Sequence, residues 1–307
     1  MTQQRPTKEP KKIVVVGGGM GGLASAARLA KLGHHVSLYE ATDRFGGKCR
    51  TETINGYSFD VGPSLLTLPA VYRDLFLKTG KRIEHLLKID SVDPAFTYIF
   101  HDGKKVQFPN LSHNGTVKAI TESFGIEAGT AWHKILTRAE RMWDASREDF
   151  IENELRPSSF LRRKNLFQDL FTIAPWTSLR SLTHTYSKDP YINKIIDRYA
   201  TYTGSDPRKV PAVLLTIAFV EEAFGAWHIQ GGLGRLAIEI SKRCEELGVE
   251  LHLQSPVKRI MTRENTAIGI ELQSGVRIDA DIVIANSDSE NLYNSLLSHT
   301  SKTKKPR

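Results

Sequence analysis

The patterned part of the chain opens with four apolar residues in a row, Ile13-Val14-Val15-Val16, followed at once by Gly17-Gly18-Gly19-Met20-Gly21-Gly22. A short β-branched run bounded by turn residues suits a strand buried on both faces of a parallel sheet. A helical segment then runs to Leu32 and closes at Gly33, a residue that accepts the left-handed conformation that stops a helix. Residues 36–39 return to a strand pattern and end on Glu40, which completes a strand-helix-strand unit with a short connection.

Further along, residues 53–60 read as extended around an Asn55-Gly56 turn, and residues 70–79 as an amphipathic helix stopped by Gly80. Residues 96–100 and 105–108 flank Asp102-Gly103, a strong hairpin signal, and residues 117–223 are mainly helical with breaks at Pro157, Pro175, Pro190 and Pro207. A helix over residues 233–247, ended by Gly248, and a strand over 249–253 return to the first pattern. Residues 257–261, 267–272 and 276–278 form a meander around Ser274-Gly275, and residues 282–285 read as another buried parallel strand. These shifts divide the chain into a flexible N-terminus (1–11), a nucleotide-binding domain in two parts (12–95 and 225–298), an inserted, largely helical substrate domain (96–224) and a flexible tail (299–307).

Composition narrows the class. With 307 residues, 40% of them hydrophobic and 25% charged, the chain has material for two joined folded domains. No apolar stretch approaches the roughly 20 residues of a spanning helix, and residues 13–16 are too few for a signal-peptide core, so a cytoplasmic location is expected. Cys49 and Cys244 offer neither a disulfide framework nor a metal spacing, and the ten histidines show no ligand pattern, so no metal is expected. The formal charge of +8 comes with no basic recognition helix or stacking motif. Nucleic acid is therefore not an expected partner, and the charge fits either an ordinary solvated surface or contact with an anionic membrane on its inner face.

The glycine cluster carries the chemistry. Gly17, Gly19 and Gly22 satisfy the G-x-G-x-x-G spacing: the first allows the tight turn after the strand, the second lets a pyrophosphate reach the backbone, and the third lets helix and strand pack closely. The helix start supplies unpaired N–H groups and partial positive charge. Glu40, 23 positions after Gly17 (40 − 17), is placed to accept hydrogen bonds from ribose hydroxyls and to repel a 2′-phosphate, which disfavours NADP.

NAD and FAD share that fingerprint, and the next segment separates them. Arg44-Phe45-Gly46-Gly47-Lys48-Cys49-Arg50-Thr51 resembles the R-x-G-G-R-x-x-S/T motif of glutathione-reductase-type flavoproteins akin to amine oxidases, with Lys48 in place of Arg, a point charge instead of a planar fork. With Tyr57-Ser58-Phe59-Asp60-Val61-Gly62-Pro63-Ser64 the chain becomes similar to the phytoene desaturase and carotenoid desaturase/isomerase family. Residues 197–207, residues 225–232 (Gly225-Ala226-Trp227-His228-Ile229-Gln230-Gly231-Gly232) and residues 280–288 (Ala280-Asp281-Ile282-Val283-Ile284-Ala285-Asn286-Ser287-Asp288) extend the resemblance over about residues 12–297.

The resemblance implies an α/β fold: a Rossmann-type FAD-binding domain, glutathione-reductase-like, with an inserted mixed α+β substrate domain. It implies FAD as cofactor, held by Gly17, Gly19, Gly22, Glu40, Gly46, Gly47 and Lys48, by Gly62, Pro63 and Ser64 beside the flavin ring, and by the backbone of Val257 at the adenine edge. Read without it, Tyr199 and Trp227 are core aromatics and Asp60 a turn residue.

It further implies an oxidoreductase of carotenoid biosynthesis that moves a hydride from a lipophilic acyclic polyene such as phytoene to flavin, with quinone or oxygen as acceptor. No acid/base dyad stands out, so no catalytic residue is assigned. Family members continue into a C-terminal segment that closes over the flavin, and the expectation is that this chain alone does not turn over a carotenoid. Two other readings stay open: a non-catalytic relative or one part of a split desaturase completed by a second chain, and an amine-oxidase-type flavoprotein. In residues 159–182, Phe160, Leu161, Leu166, Phe167, Leu170, Phe171 and Trp176 alternate with Arg162, Arg163, Lys164 and Arg180. That pattern suits either a buried core or peripheral contact with an anionic membrane.

Overall fold

The structure is a computed structural model that describes residues 9–147 and 166–297. The chain divides into two compact units, Met1–Asp90 together with His228–Arg307, and Ser91–Trp227.

The first unit is built on a four-stranded parallel sheet. Strand β1 (Lys12–Val16) pairs on one side with β2 (His35–Tyr39), Ile13 opposite Val36, and on the other with Ile282–Ala285, Ile13 opposite Ile282. Strand β2 carries Glu250–His252 on its outer side. The continuous apolar run predicted for β1 is explained by its place: Ile13, Val14 and Val15 are buried, as is Leu38 of β2. Helix α1 (Met20–Lys31) packs Leu23, Ala26 and Ala27 inward, and the helix Gly234–Glu246 lays Leu236, Ala237 and Ile240 against it. Cys244 joins the two, its Sγ donating to the Leu23 carbonyl at 3.4 Å. Burial pushes that thiol up to about 12, which makes it a packing group and not a nucleophile.

The expectation of a buried strand at residues 282–285 needs correction. The strand is parallel to β1, but it lies at the edge of the sheet, and Ile282 is 43% exposed. An apolar run signals a strand without saying whether both flanks are covered.

Strands β3 (Thr51–Ile54) and β4 (Tyr57–Asp60) form a hairpin whose turn residues Asn55 (φ 52°) and Gly56 (φ 83°) both take the left-handed conformation that a two-residue turn requires. Helix α2 (Pro69–Thr79) begins with Pro69, which needs no helical N–H partner, and stops at Gly80 with φ 100°. The predicted meander is present as Val257–Arg263, Thr266–Leu272 and Arg277–Asp279, all antiparallel.

The second unit pairs the hairpin Phe96–Ile99 and Lys105–Phe108 with helices that include His113–Phe124, Ile126–Ser146, Pro190–Asp197 and Thr216–Phe224. Trp132, Ile135, Met142, Ile192, Ile196 and Tyr199 fill its core. Pro190 opens a helix in its first turn, with Asp189 accepting from the Tyr191 and Ile192 amides. The break expected at Pro157, residues 1–8 of the N-terminus expected to be flexible over 1–11, and all of the tail expected over 299–307 lie outside the described residues.

Glu271 in the meander generates a pH prediction. Its side chain is 7% exposed and is met by Arg259 (2.7 Å), Lys258 (3.2 Å) and Arg277 (3.2 Å). The Arg259 guanidinium and the Lys258 ammonium hold its carboxyl at about 2. A depressed carboxylate contributes stability above its unfolded value of about 4.3 and loses it as pH falls towards the folded value. Denaturation curves of Glu271→Gln should therefore lack a loss of stability that the parent chain shows between about pH 4 and pH 2.

Candidate functional site

The site grows out of the turn between β1 and α1, and it is assembled from glycines that are close for steric reasons. A Cβ at Gly22 would stand 2.0 Å from the Gly17 carbonyl oxygen, so the helix is able to cross the strand end only without a side chain there. Gly17 itself has φ 97°, in the left-handed region. A Cβ at Gly19, by contrast, would meet only the Asn286 amide nitrogen, at 3.1 Å, and the residue is half-buried. Helix α1 has no side-chain hydrogen bond at its start and no acidic residue in its first turn. Its leading N–H groups therefore lack an internal acceptor, the arrangement that receives an anion.

A second glycine loop closes on the first. The Gly46 amide donates to the Gly18 carbonyl at 2.8 Å, and Gly46 forms a β-bridge with Gly19. Gly47 lies so close that a Cβ there would be 3.3 Å from the Gly19 Cα. Lys48 follows, exposed, and has no ion pair among the described residues. Its neighbours in the loop are already committed, Arg44 to Asp43 (3.2 Å) and Arg50 to Glu52 (3.1 Å).

Glu40 is fixed by its own end of β2. Its Oε2 accepts from the Gly18 amide at 2.7 Å, and its Oε1 accepts from the Thr42 amide (2.9 Å) and hydroxyl (2.8 Å). The carboxylate thus orients the glycine turn from below while remaining partly exposed. Its backbone carbonyl receives the Ser255 amide at 2.8 Å, which brings Val257, two residues on, to the same end of the sheet. Tyr39 and His252 stack at 4.5 Å beside it.

Gly62 reaches the site through the loop. A Cβ there would lie 1.8 Å from the Lys48 carbonyl oxygen, and the Val61 amide donates to the Arg50 carbonyl at 3.1 Å. Pro63 and Ser64 are exposed, and no hydrogen bond among the described residues ties either to the glycine turn. The structure therefore brings Gly17, Gly19, Gly22, Glu40, Gly46, Gly47 and Lys48 together, links Gly62 and Val257 to them through the backbone, and leaves Pro63 and Ser64 unconnected.

Beside Asp60, read as a turn residue, three residues had no assigned role in the sequence: Thr51, Cys49 and Asn286. Asp60 is more than a turn residue: both its oxygens accept from the Leu233 amide at 2.9 Å, and Thr51 Oγ1 donates to it at 2.6 Å. Thr51 Oγ1 also accepts from the Gly234 amide at 3.2 Å. Together they occupy the start of the helix Gly234–Glu246. Cys49 lies beneath the loop, its thiol raised by burial and by Asp60, which makes it a poor nucleophile. Asn286, the third, stands over the glycine turn. The signal that was available for all three was their place in motifs, without a role attached.

Tyr199 is a core residue, 2% exposed, with the Arg198 guanidinium 4.5 Å from its ring centre. Trp227 is half-buried and donates from Nε1 to the Phe224 carbonyl at 2.7 Å. Of the segment over residues 159–182, Phe160, Leu161, Arg162, Arg163 and Lys164 lie outside the described residues. Phe171 and Trp176 are 69% and 64% exposed and meet edge to face at 5.5 Å. Arg180, expected as a cation for headgroups, is instead paired with Asp197, a bidentate contact that a sequence pattern does not reveal.

A dinucleotide cradle at the carboxyl end of a parallel sheet, closed by a second glycine loop, defines a flavoprotein of the Rossmann type, and the cofactor of this class is FAD. The chain belongs to the flavin-containing amine oxidoreductase family, which it matches over residues 20–306. It is 31% identical over 290 residues to the 1-hydroxycarotenoid 3,4-desaturase of Flavobacterium sp. (strain P99-3), covering 94% of this chain and 58% of that protein. It is 29% identical over 300 residues to the phytoene desaturase of Cercospora nicotianae, covering 96% of this chain and 47% of that one. The chain thus spans about half the length of the curated relatives it matches. An oxidoreductase from Methanosarcina mazei shares the fold, with a TM-score of 0.67 at 20% identity over 95% of this chain and 62% of its own.

Two substitutions test the cradle. Gly22→Ala should cost about 1–3 kcal/mol of stability through the forced shift of Gly17, read as a lower urea midpoint. Glu40→Ala removes charge-assisted hydrogen bonds worth about 1.5–3 kcal/mol each, and should weaken ADP binding more than about tenfold in a calorimetric titration.

Proposed function

We propose that this chain is the FAD-binding portion of a carotenoid desaturase acting on an acyclic polyene such as phytoene. The observation that carries the reading is the uncapped start of α1 clasped by Gly46 and Gly47, with Glu40 below it. Similarity to two desaturases of carotenoids supports the substrate class.

In this reading Gly17, Gly19 and Gly22 admit the diphosphate to the backbone, and Lys48 adds the positive charge that its neighbours have spent on ion pairs. Glu40 receives the ribose hydroxyls on what remains of its acceptor capacity, and the Val257 backbone reads the adenine edge. Gly46 and Gly47 hold the second loop against the turn, and Gly62, Pro63 and Ser64 run beside the ring. When bound, FAD supplies a two-electron acceptor for a hydride leaving an allylic carbon. The protein's part is to align cofactor and polyene and to keep water out, and no side chain is assigned as acid or base.

Two measurements test this. Purified chain should carry FAD, released on denaturation with its flavin absorbance; a colourless preparation that fails to take up FAD would overturn the cofactor assignment. In a phytoene-accumulating host, co-expression with the C-terminal half of a related desaturase should give coloured, more conjugated product, and colourless cells despite soluble protein would count against the substrate.

A lipid-borne substrate motivates a companion proposal, peripheral membrane contact through the exposed Phe171–Trp176 pair. No helix among the described residues is long and apolar enough to cross a membrane. Phe171→Ser with Trp176→Ser should lower recovery with floating anionic liposomes; recovery equal to that of the parent would refute the contact.

A further inference from the structure

Asn286 follows the strand Ile282–Ala285 and ends directly over the glycine turn. Its backbone N–H donates to the Val16 carbonyl at 2.8 Å, extending the sheet pairing to the last residue before the turn. Its Nδ2 donates to the Gly17 carbonyl at 3.3 Å. Side chains built at four of the turn glycines would meet this one residue: a Cβ at Gly17 would be 2.7 Å from its carbonyl oxygen, and one at Gly21 would be 2.6 Å from its Oδ1. At Gly19 and Gly22 the nearest approach to its Nδ2 would be 3.1 and 3.2 Å. Gly17 is therefore required by the Asn286 backbone, as Gly22 is by the helix crossing, and Gly19 and Gly21 leave room for the Asn286 amide. The adjoining Ser287 hydroxyl is buried without a hydrogen-bond partner among the described residues, a further donor in the same loop.

From this geometry we infer that Asn286 is a positioning residue of the diphosphate site, holding the glycine turn open while leaving the start of α1 uncapped. The inference rests on the reading of this unit as an FAD site and adds a requirement to it: the side chain at this position must be uncharged. An amide holds the Gly17 carbonyl with an N–H and brings no net charge to the helix start. A carboxylate of the same shape would lose the N–H, repel the Gly17 carbonyl and accept from the leading N–H groups of α1 in the way an N-cap does. It would occupy the acceptor position that the diphosphate needs and repel it as well. Alanine would lose the bond without adding the competitor.

The test compares the parent chain with Asn286→Ala and Asn286→Asp, each titrated with FAD, ADP and adenosine. Asn286→Asp is expected to bind ADP and FAD at least about tenfold more weakly than Asn286→Ala, a difference of about 1.4 kcal/mol, with adenosine affinity the same in both. The gap should narrow as salt is raised, because screening acts on the added charge and not on a packing defect. Equal affinities of the two variants for ADP, or equal losses for ADP and adenosine, would overturn the assignment. Should circular dichroism show that the Asp variant does not fold, the Ala variant decides: its ADP affinity should fall about threefold or more with adenosine unchanged, and an unchanged ADP affinity overturns the inference. A parent chain that binds neither FAD nor ADP would remove the cofactor reading and this inference with it, whereas a parent that binds and variants that match it remove only the role of Asn286.

Discussion

The carbonyl oxygen of Gly17 occupies the space in which a side chain at Gly22 would have to stand, at 2.0 Å from the Cβ position, and the geometry of the first unit follows from that contact. Because the helix is able to approach the strand this closely, the first turn of α1 opens directly at the carboxyl end of the sheet. The Gly46 loop then reaches the turn by a backbone bond, and Asn286 reaches it from the neighbouring strand. Each of these approaches is backbone to backbone or amide to backbone. Methyl groups would separate them, which is why glycine recurs at 17, 19, 22, 46 and 47.

Two helices in this unit begin in glycine-containing segments, and they are treated in opposite ways. The helix Gly234–Glu246 has its leading amides taken by Asp60 and Thr51, so its positive end is neutralised within the protein. Helix α1 has no such cap. An uncapped helix start is costly unless something else satisfies it, and the carboxylate of Glu40 spends its oxygens on Gly18 and Thr42, just outside the helix. The contrast leaves one helix start satisfied within the protein and the other open. The paired arginines of the loop, Arg44 and Arg50, leave Lys48 as its cation without an ion pair among the described residues.

The second unit holds its charged groups for stability. Glu221, 3% exposed, pairs with Arg198 at 2.6 Å, and the Tyr202 hydroxyl donates to it. Burial pushes the Tyr199 phenol well up, and Tyr98 to about 12, so neither ionises in the neutral range.

How much was legible in the amino-acid sequence depends on the range of the interaction. The β1-turn-α1-β2 unit, the Asn55-Gly56 and Asp102-Gly103 hairpins, the stop at Gly80 and the fingerprint Gly17, Gly19, Gly22 and Glu40 were all readable, because strand period, turn conformation and helix termination are decided within a few residues. The exposure of Ile282 was not, since a strand's apolar run is the same whether one flank is covered or two. Nor was the pairing of Arg180 with Asp197, or the clasp of Asp60 and Thr51 on Leu233 and Gly234, whose partners lie up to 183 positions away. Asn286 is the clearest case: it stands 269 positions from Gly17 and meets it because parallel pairing of two strands sets their ends side by side. The sequence by itself determined which segment would turn tightly from strand end into helix start, through glycines that need no partner to be recognised. Only the tertiary structure decided what holds that segment open, because the holding group comes from another strand and its chemistry has meaning only at the place where the chain puts it.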